Sequence, residues 1–287
     1  NCASGSRLWQ QADVIIGIGS RLELLWGRWP KHKAGVKLIN IDIDPLQHVR
    51  LKADVGLIGD AGETAAALAE GVEQLPSRLS RYEEYAEVKT TIAHDILKIT
   101  PQIDFLKAIR DVLPRDGFVA EETSQVGFTS IYGIPIYKPR TFVSCGHQGT
   151  LGYGFPTCLG VKVGNPDKCV VSIVGDGGFM FAIQELTTAV EHGINLVTVL
   201  FNNNCYGNVL RDQQQMFDGR DVGSKLENPD FLKVADAFGV TYFNASTPDN
   251  LRKSLELAFK SETPCLIEVP VVQGSETSPW EFLMPQA

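Results

Sequence analysis

No stretch of this sequence is apolar for long enough to span a bilayer as a helix, which takes ~20 residues in succession. A basic excess is missing too. With 26 Lys and Arg against 34 Asp and Glu, the formal net charge is −8, so neither nucleic acid nor an anionic membrane is expected as a main partner. The six cysteines (Cys2, Cys145, Cys158, Cys169, Cys205 and Cys265) form no CxxC pair. That argues against a zinc site or a disulfide framework and for reduced, mostly buried thiols in a cytoplasmic protein. Internal repeats and low-complexity tracts are absent, and no basic stretch leading into an apolar segment marks a signal peptide. What remains is a chain of 287 residues, 44% hydrophobic with evenly spread charge, which suits about two soluble globular domains.

The most informative stretch runs from Cys169 to Asn208. An apolar, β-branched run (Val170 to Val174) leads into a glycine turn with one acid, Gly175-Asp176-Gly177-Gly178. An amphipathic segment (Phe179 to His192), a Gly193 stop and a second apolar run (Leu196 to Phe201) follow. The polar turn Asn202-Asn203-Asn204 closes the stretch. This pattern predicts a βαβ unit. A right-handed crossover between parallel strands brings both turns to one edge of the sheet, so Asp176 and Asn203, 27 residues apart, are expected side by side. A glycine turn opening a helix offers backbone N–H groups to a phosphate. A carboxylate and an amide oxygen beside it suit Mg²⁺, a hard cation that shares its ligands with phosphates. Alone, the glycine turn would better suit an ordinary βαβ unit. With the crossover and the Asn run it points to a diphosphate–Mg²⁺ site.

The whole pattern resembles the signature of thiamine-diphosphate-dependent enzymes of the acetolactate synthase and 2-oxoacid decarboxylase family: GDG, a spacer, then NN, with Gln184-Glu185-Leu186 opening the helix as in acetolactate synthases. The resemblance implies Asp176 and Asn203 as metal ligands, with the main-chain oxygen of Cys205 as the third. Gly175, Gly177 and Gly178 would then cradle the diphosphate. Tyr206, Gly207, Asn208 and Val209 would line the cofactor and substrate pocket. Cys145 to Pro156 (CGHQGTLGYGFP) is similar to the family's GTMG or GSIG stretch. By that match the Gly149 carbonyl accepts from the cofactor's 4′-amino group, Thr150 lies beside it, and Leu151 is the apolar wedge that holds the cofactor bent. Glu122 stands where relatives carry an acid or polar residue near the thiazolium. His147 either touches the substrate or is a satisfied polar loop residue.

Elsewhere the chain is expected to be α/β. In residues 1–75, Ala12 to Gly17 and Val36 to Ile43 suit buried parallel strands, and Gly59 to Gly71 an alanine-rich helix. This part is similar to the C-terminal part of the family's Rossmann-like central domain, which holds FAD in some relatives; none is expected here. Gly17-Ile18-Gly19 with Asp42 and Asp44 could suggest a nicotinamide site. Leu22, however, replaces the third glycine, and Trp26-Gly27-Arg28-Trp29-Pro30 interrupts the helix. Residues 76–100 are expected to be a helical linker. Residues 101–272 form a doubly wound, mostly parallel diphosphate-binding domain, with helices starting at Thr100-Pro101, Asn228-Pro229 and Thr247-Pro248 and strands at Gly117 to Glu121, Arg140 to Ser144 and Cys265 to Val269. Residues 273–287 form a tail whose Trp280, Phe282 and Leu283 pack either on the chain's own body or near the mouth of the site. By resemblance the chain lacks the N-terminal pyrimidine domain with the cofactor-activating Glu. It is therefore expected to need that domain or a partner subunit for turnover, in a homo-oligomer acting on a 2-oxo acid. A nicotinamide-dependent oxidoreductase and a non-catalytic scaffold are the alternatives.

Overall fold

A computed structural model of the chain describes residues 3–22, 33–146 and 149–283. It divides into two compact units, residues 1–94 with 280–287, and residues 95–279. The segment Trp26 to Pro30 and His147 lie outside the described residues.

The first unit begins with α1 (Ala3–Gln11), β1 (Val14–Ile18), β2 (Lys37–Asp42), α2 (Pro45–Leu51), β3 (Val55–Ile58), α3 (Ala61–Glu73) and α4 (Tyr82–Ile96), the last running into the second unit. Its three strands are parallel in the order β1-β2-β3. Ile15, Val36 and Leu38 pack with Trp9 of α1 and Leu51 of α2 on one face. The two acids that could have suggested a nicotinamide site are used locally. Asp42 Oδ1 accepts from the Asp44 N–H, and Asp44 caps α2 by accepting from the Leu46 N–H, both at 2.9 Å.

The second unit carries α5 (Gln102–Val112), β4 (Phe118–Glu121), α6 (Gln125–Gly133), β5 (Phe142–Val143), α7 (Gly154–Gly164), β6 (Val170–Gly175), α8 (Asp176–Met180), α9 (Glu185–Glu191), β7 (Val197–Asn202), α10 (Gly207–Met216), α11 (Phe231–Phe238), β8 (Thr241–Asn244), α12 (Pro248–Ala258) and β9 (Cys265–Pro270). A short α13 (Trp280–Leu283) then packs on α1 in the first unit, so the tail's apolar residues lie on the chain's own body. The six strands are all parallel, in the order β5-β4-β6-β7-β9-β8. Both faces are covered, so the strands are apolar nearly throughout. Val171 and Ile173 point into a layer with Ile103, Leu106 and Ile109 of α5 and Leu251 and Leu255 of α12. Val170 and Val174 point the other way, toward Phe155 of α7, Leu186 of α9 and Phe231 of α11. Burying each such side chain contributes about 1.5–3 kcal/mol. Among the described residues no helix is long and apolar enough to cross a membrane.

Two expectations are corrected. The crossover segment Phe179 to His192 is not one helix. Between α8 and α9 the N–H groups of Phe181, Ala182, Glu185 and Leu186 bond three residues back instead of four. The chain tightens there, yet Phe179, Ala182, Leu186 and Ala189 stay on one buried stripe. The helix expected at Asn228-Pro229 starts later, at Phe231. Its cap is Asp230, whose carboxylate accepts from the Leu232 and Lys233 N–H groups. Asn228 is thereby released for another use. Thr247-Pro248 behaves as expected, with Thr247 Oγ1 accepting from the Asn250 N–H.

Candidate functional site

The strand order fixes where a ligand can lie. From β4 the chain steps to β5 on one side and then returns to β6 on the other, which makes the β4/β6 boundary a topological switch point. In open parallel sheets the crevice beyond the carboxyl ends of the strands at such a point is where ligands bind. Glu122 to Gln125 leave β4 there, Asp176 to Gly178 leave β6, Asn202 to Tyr206 leave the adjacent β7, and the segment after Pro270 leaves β9.

Asp176 opens α8 and is 2% exposed. Its Oδ2 accepts from Asn228 Nδ2 at 2.7 Å, and the same amide nitrogen reaches Asn202 Oδ1 at 3.0 Å and Asn204 Oδ1 at 3.2 Å. Burial pushes the Asp176 carboxyl up from its ordinary value, against the N–H donors of Asn228, Gly177 and Asn204. Asn203 Oδ1 accepts from the Cys205 N–H at 3.1 Å, and Asn203 Nδ2 donates to Glu276 Oε2 at 2.7 Å. Burial raises the Glu276 carboxyl too; the Asn203 bond opposes this and the nearby Asp176 adds to it. The Tyr206 ring lies so close to Gly177 that a side chain there would overlap it. Asn208 Oδ1 is shared by Gln125 Nε2 at 2.7 Å and Arg211 Nη2 at 2.8 Å.

A cavity of about 160 Å³ opens between Gln125, Asn203, Cys205, Gly207, Arg211 and Glu276. Gln125 is 8% exposed, and its Oε1 has no hydrogen-bond partner among the described residues. A buried acceptor left alone costs about 1–3 kcal/mol.

At the carboxyl end of β4 lie Glu121 and Glu122, both 0% exposed. Burial pushes each carboxyl up to about 7. Glu122 Oε1 accepts from the Gly152 N–H, and Glu121 Oε1 from the Cys145 N–H at 3.3 Å. The pair therefore ties both ends of the Cys145–Gly154 loop to the end of β4. Several glycines exist for these contacts. A Cβ on Gly154 would lie 2.7 Å from Glu122 Cβ, one on Gly178 2.6 Å from Glu122 Cδ, and one on Gly152, which has φ +80, 2.8 Å from Phe181 Cβ.

Of the residues named from the sequence, Gly175, Asp176, Gly177, Gly178, Asn203, Cys205, Tyr206, Gly207 and Asn208 stand around this crevice, and Glu122 packs directly behind Gly178. Gly149 has φ +60 and Thr150 is exposed. Leu151 is half-buried in the turn between Gly149 and Gly152. Gln125, Asn228, Arg211 and Glu276 were not anticipated. Only Gln125 had a usable signal, since Ser124 caps α6 through the Gly127 N–H and so places Gln125 in the first turn.

The model of the thiamine pyrophosphate enzyme C-terminal TPP-binding domain matches residues 123–269, just over half of the chain, and that of the family's central domain matches residues 2–68. A probable acetolactate synthase large subunit of Methanocaldococcus jannaschii is 32% identical over 94% of this chain and 48% of its own length. A probable 2-ketoarginine decarboxylase of Pseudomonas aeruginosa is 31% identical over 93% and 48%. The chain spans about half the length of the curated relatives it matches. The solved thiamine diphosphate-dependent 4-hydroxybenzoylformate decarboxylase of Rhodococcus jostii superposes with a TM-score of 0.70 at 20% identity, over 93% of this chain and 50% of that one, which establishes the shared fold. On its sequence and on the crevice that sequence builds, this chain belongs to the thiamine pyrophosphate enzymes.

Proposed function

We propose that this chain holds the diphosphate of thiamine diphosphate through Mg²⁺, as part of an enzyme that decarboxylates 2-oxo acids, joins them to a second carbonyl compound, or both. The observation that carries the reading is that Asp176 and the Asn202–Asn204 turn meet beyond the carboxyl ends of β6 and β7, bridged by the Asn228 amide. They offer hard oxygen acceptors, the donor set a hydrated Mg²⁺ requires. Asp176 and Asn203 would ligate the cation together with the Cys205 main-chain oxygen. The backbone of Gly177 and Gly178 would meet the diphosphate, and the Arg211 guanidinium supplies positive charge on the α10 side. Gly149 and Leu151 would orient the pyrimidine and the bend of the cofactor.

When bound, the cofactor supplies the electron sink for breaking or making a bond beside the keto carbon. The chain's own work is to bind, orient and exclude water. Two similar proteins are by name decarboxylases, of 2-ketoarginine and of 4-hydroxybenzoylformate, which favours a 2-oxo acid as substrate.

The test is calorimetric titration with thiamine diphosphate in Mg²⁺ and in EDTA. Binding should require Mg²⁺, and Asp176→Ala should weaken it more than tenfold, ~1.4 kcal/mol. Equal binding in EDTA, or unchanged affinity in Asp176→Ala, would sink the assignment.

A further inference from the structure

We propose that Glu276 is a positioning residue for the metal site. It grips the amide end of Asn203 so that the oxygen end is the one presented to the cation; this rests on the Mg²⁺ reading above. An Asn side chain has two ends of nearly equal shape, one donating and one accepting. A metal ligand must offer the oxygen, so something has to choose the orientation. Glu276 Oε2 lies 2.7 Å from Asn203 Nδ2, a hydrogen bond to a carboxylate that only the NH₂ end can make. The oxygen end is thereby turned to the opposite side, where it accepts from the Cys205 N–H at 3.1 Å. That is the stretch of main chain expected to give the third ligand. Outer carboxylates that fix the orientation of a metal ligand are a general feature of metal sites, and removing one weakens metal binding about 10- to 100-fold.

Glu276 does not reach Asn203 by chance. The segment around it is fastened to the second unit at many points. Val271 N–H donates to the Asn202 carbonyl at 2.8 Å, which starts the segment beside the Asn run. The fully buried Gln102 donates to the Thr277 carbonyl at 2.6 Å, and the Thr277 N–H donates to the Thr100 carbonyl at 3.0 Å. Arg211 Nη1 donates to Ser278 Oγ at 2.9 Å, and Tyr132 Oη donates to the Pro279 carbonyl at 3.1 Å. Three residues in a row after Glu276 are thus held from α5, α6 and α10 and from the residue before Pro101. The carboxylate is delivered to the edge of the cavity by a rigid strap.

The test uses this chain and its variants Glu276→Gln, Glu276→Ala and Asp176→Ala. Mn²⁺ binding is followed by EPR in the presence of thiamine diphosphate, and the Asn203 side-chain amide protons are followed by NMR with no metal or cofactor present. Gln keeps an acceptor for Asn203 Nδ2, so Glu276→Gln should bind Mn²⁺ nearly as the parent does. Glu276→Ala should bind it about 10- to 100-fold more weakly. In the metal-free chain the Asn203 amide protons should shift in Glu276→Ala and much less in Glu276→Gln.

An equal loss in Glu276→Gln and Glu276→Ala would make Glu276 a ligand in its own right and overturn the proposal. So would tighter Mn²⁺ binding in Glu276→Ala, which would make the carboxylate an occupant that the cation displaces, and so would unmoved Asn203 protons. If the parent and Asp176→Ala bind Mn²⁺ alike, the metal reading itself falls and this inference with it. If Asp176→Ala loses binding and Glu276→Ala does not, only the role of Glu276 is refuted.

Discussion

The buried pair at the carboxyl end of β4 makes the stability of the second unit depend on pH in an unusual sense. Glu122 is 0% exposed and its carboxyl is pushed by burial from 4.5 to about 7; the Gly152, Gly154 and Tyr153 N–H groups resist the rise and Glu121 adds to it. Below 4.5 the group is neutral in both the folded and unfolded chain. Between 4.5 and 7 the unfolded chain has lost this proton while the folded chain keeps it. Stability therefore falls as pH rises through that window and levels off above it. At about 1.4 kcal/mol per pH unit the full effect is up to ~3 kcal/mol, of which about 2 kcal/mol falls between pH 5.5 and 8. Glu122→Gln removes the ionisation but keeps an acceptor for the Gly152 N–H. In urea denaturation followed by circular dichroism at several pH values across that range, the parent's stability should decline by about 2 kcal/mol more than the variant's. The variant should be the more stable of the two at pH 8. Parallel curves for parent and variant, or a Glu122→Gln protein less stable at pH 8, would refute the reasoning.

Other outcomes follow from the same geometry. Gly178→Ala places a methyl group 2.6 Å from Glu122 Cδ, so the fully buried side chain must move; a loss of about 1–3 kcal/mol of stability is expected, read as a lowered urea midpoint. The variant Gly178→Ala/Glu122→Ala should recover part of that, and a double variant worse than the sum would contradict the clash. Asn228→Ala strips Asp176 of a side-chain donor, a bond to a charged group worth about 1.5–3 kcal/mol, and calorimetry should show weaker Mg²⁺-dependent thiamine diphosphate binding. Leu151→Ala should spare that binding and slow turnover in the complete enzyme; equal losses in affinity and rate would remove Leu151 from its wedge role.

The βαβ unit was legible because each of its parts is local. The β-branched runs, the glycine turn and the Asn run all lie within 40 consecutive residues, and a parallel crossover has one preferred hand. Asp176 and Asn203 could thus be placed on one edge from spacing alone. The groups that hold them could not. Asn228 reaches Asp176 across 52 residues, Glu276 reaches Asn203 across 73, and Gln125 reaches Asn208 across 83. No periodicity marks such residues, because their position depends on where three separate loops end. The misplaced start of α11 shows how local signals compete. Asn228-Pro229 and Asp230 are both good caps, and the sequence does not say that Asn228 is already engaged by Asp176. The glycines carry a second constraint that the sequence does not show. A Cβ on Gly154 or Gly178 would meet Glu122, and one on Gly152 would meet Phe181.

The electrostatics of the crevice favour the cation in the proposed reading. Asp176 and Glu276 are both close to the cavity, each with its carboxyl raised by burial and Glu276 raised further by Asp176. The cation on the lining is Arg211, which is already engaged with Asn208 and Ser278. Bringing a diphosphate within ~4 Å of a carboxylate at an effective dielectric of ~20 adds about 4 kcal/mol of repulsion per pair of unit charges. One arginine does not offset that for two carboxylates and an anion of several charges. A divalent cation between Asp176 and the diphosphate reverses the sign of the nearest interactions. It also adds a positive partner for the Asn203 oxygen. The acidity of the lining is thus an argument for the metal, and it implies that metal-free cofactor should bind still more weakly as pH rises and the two carboxylates ionise.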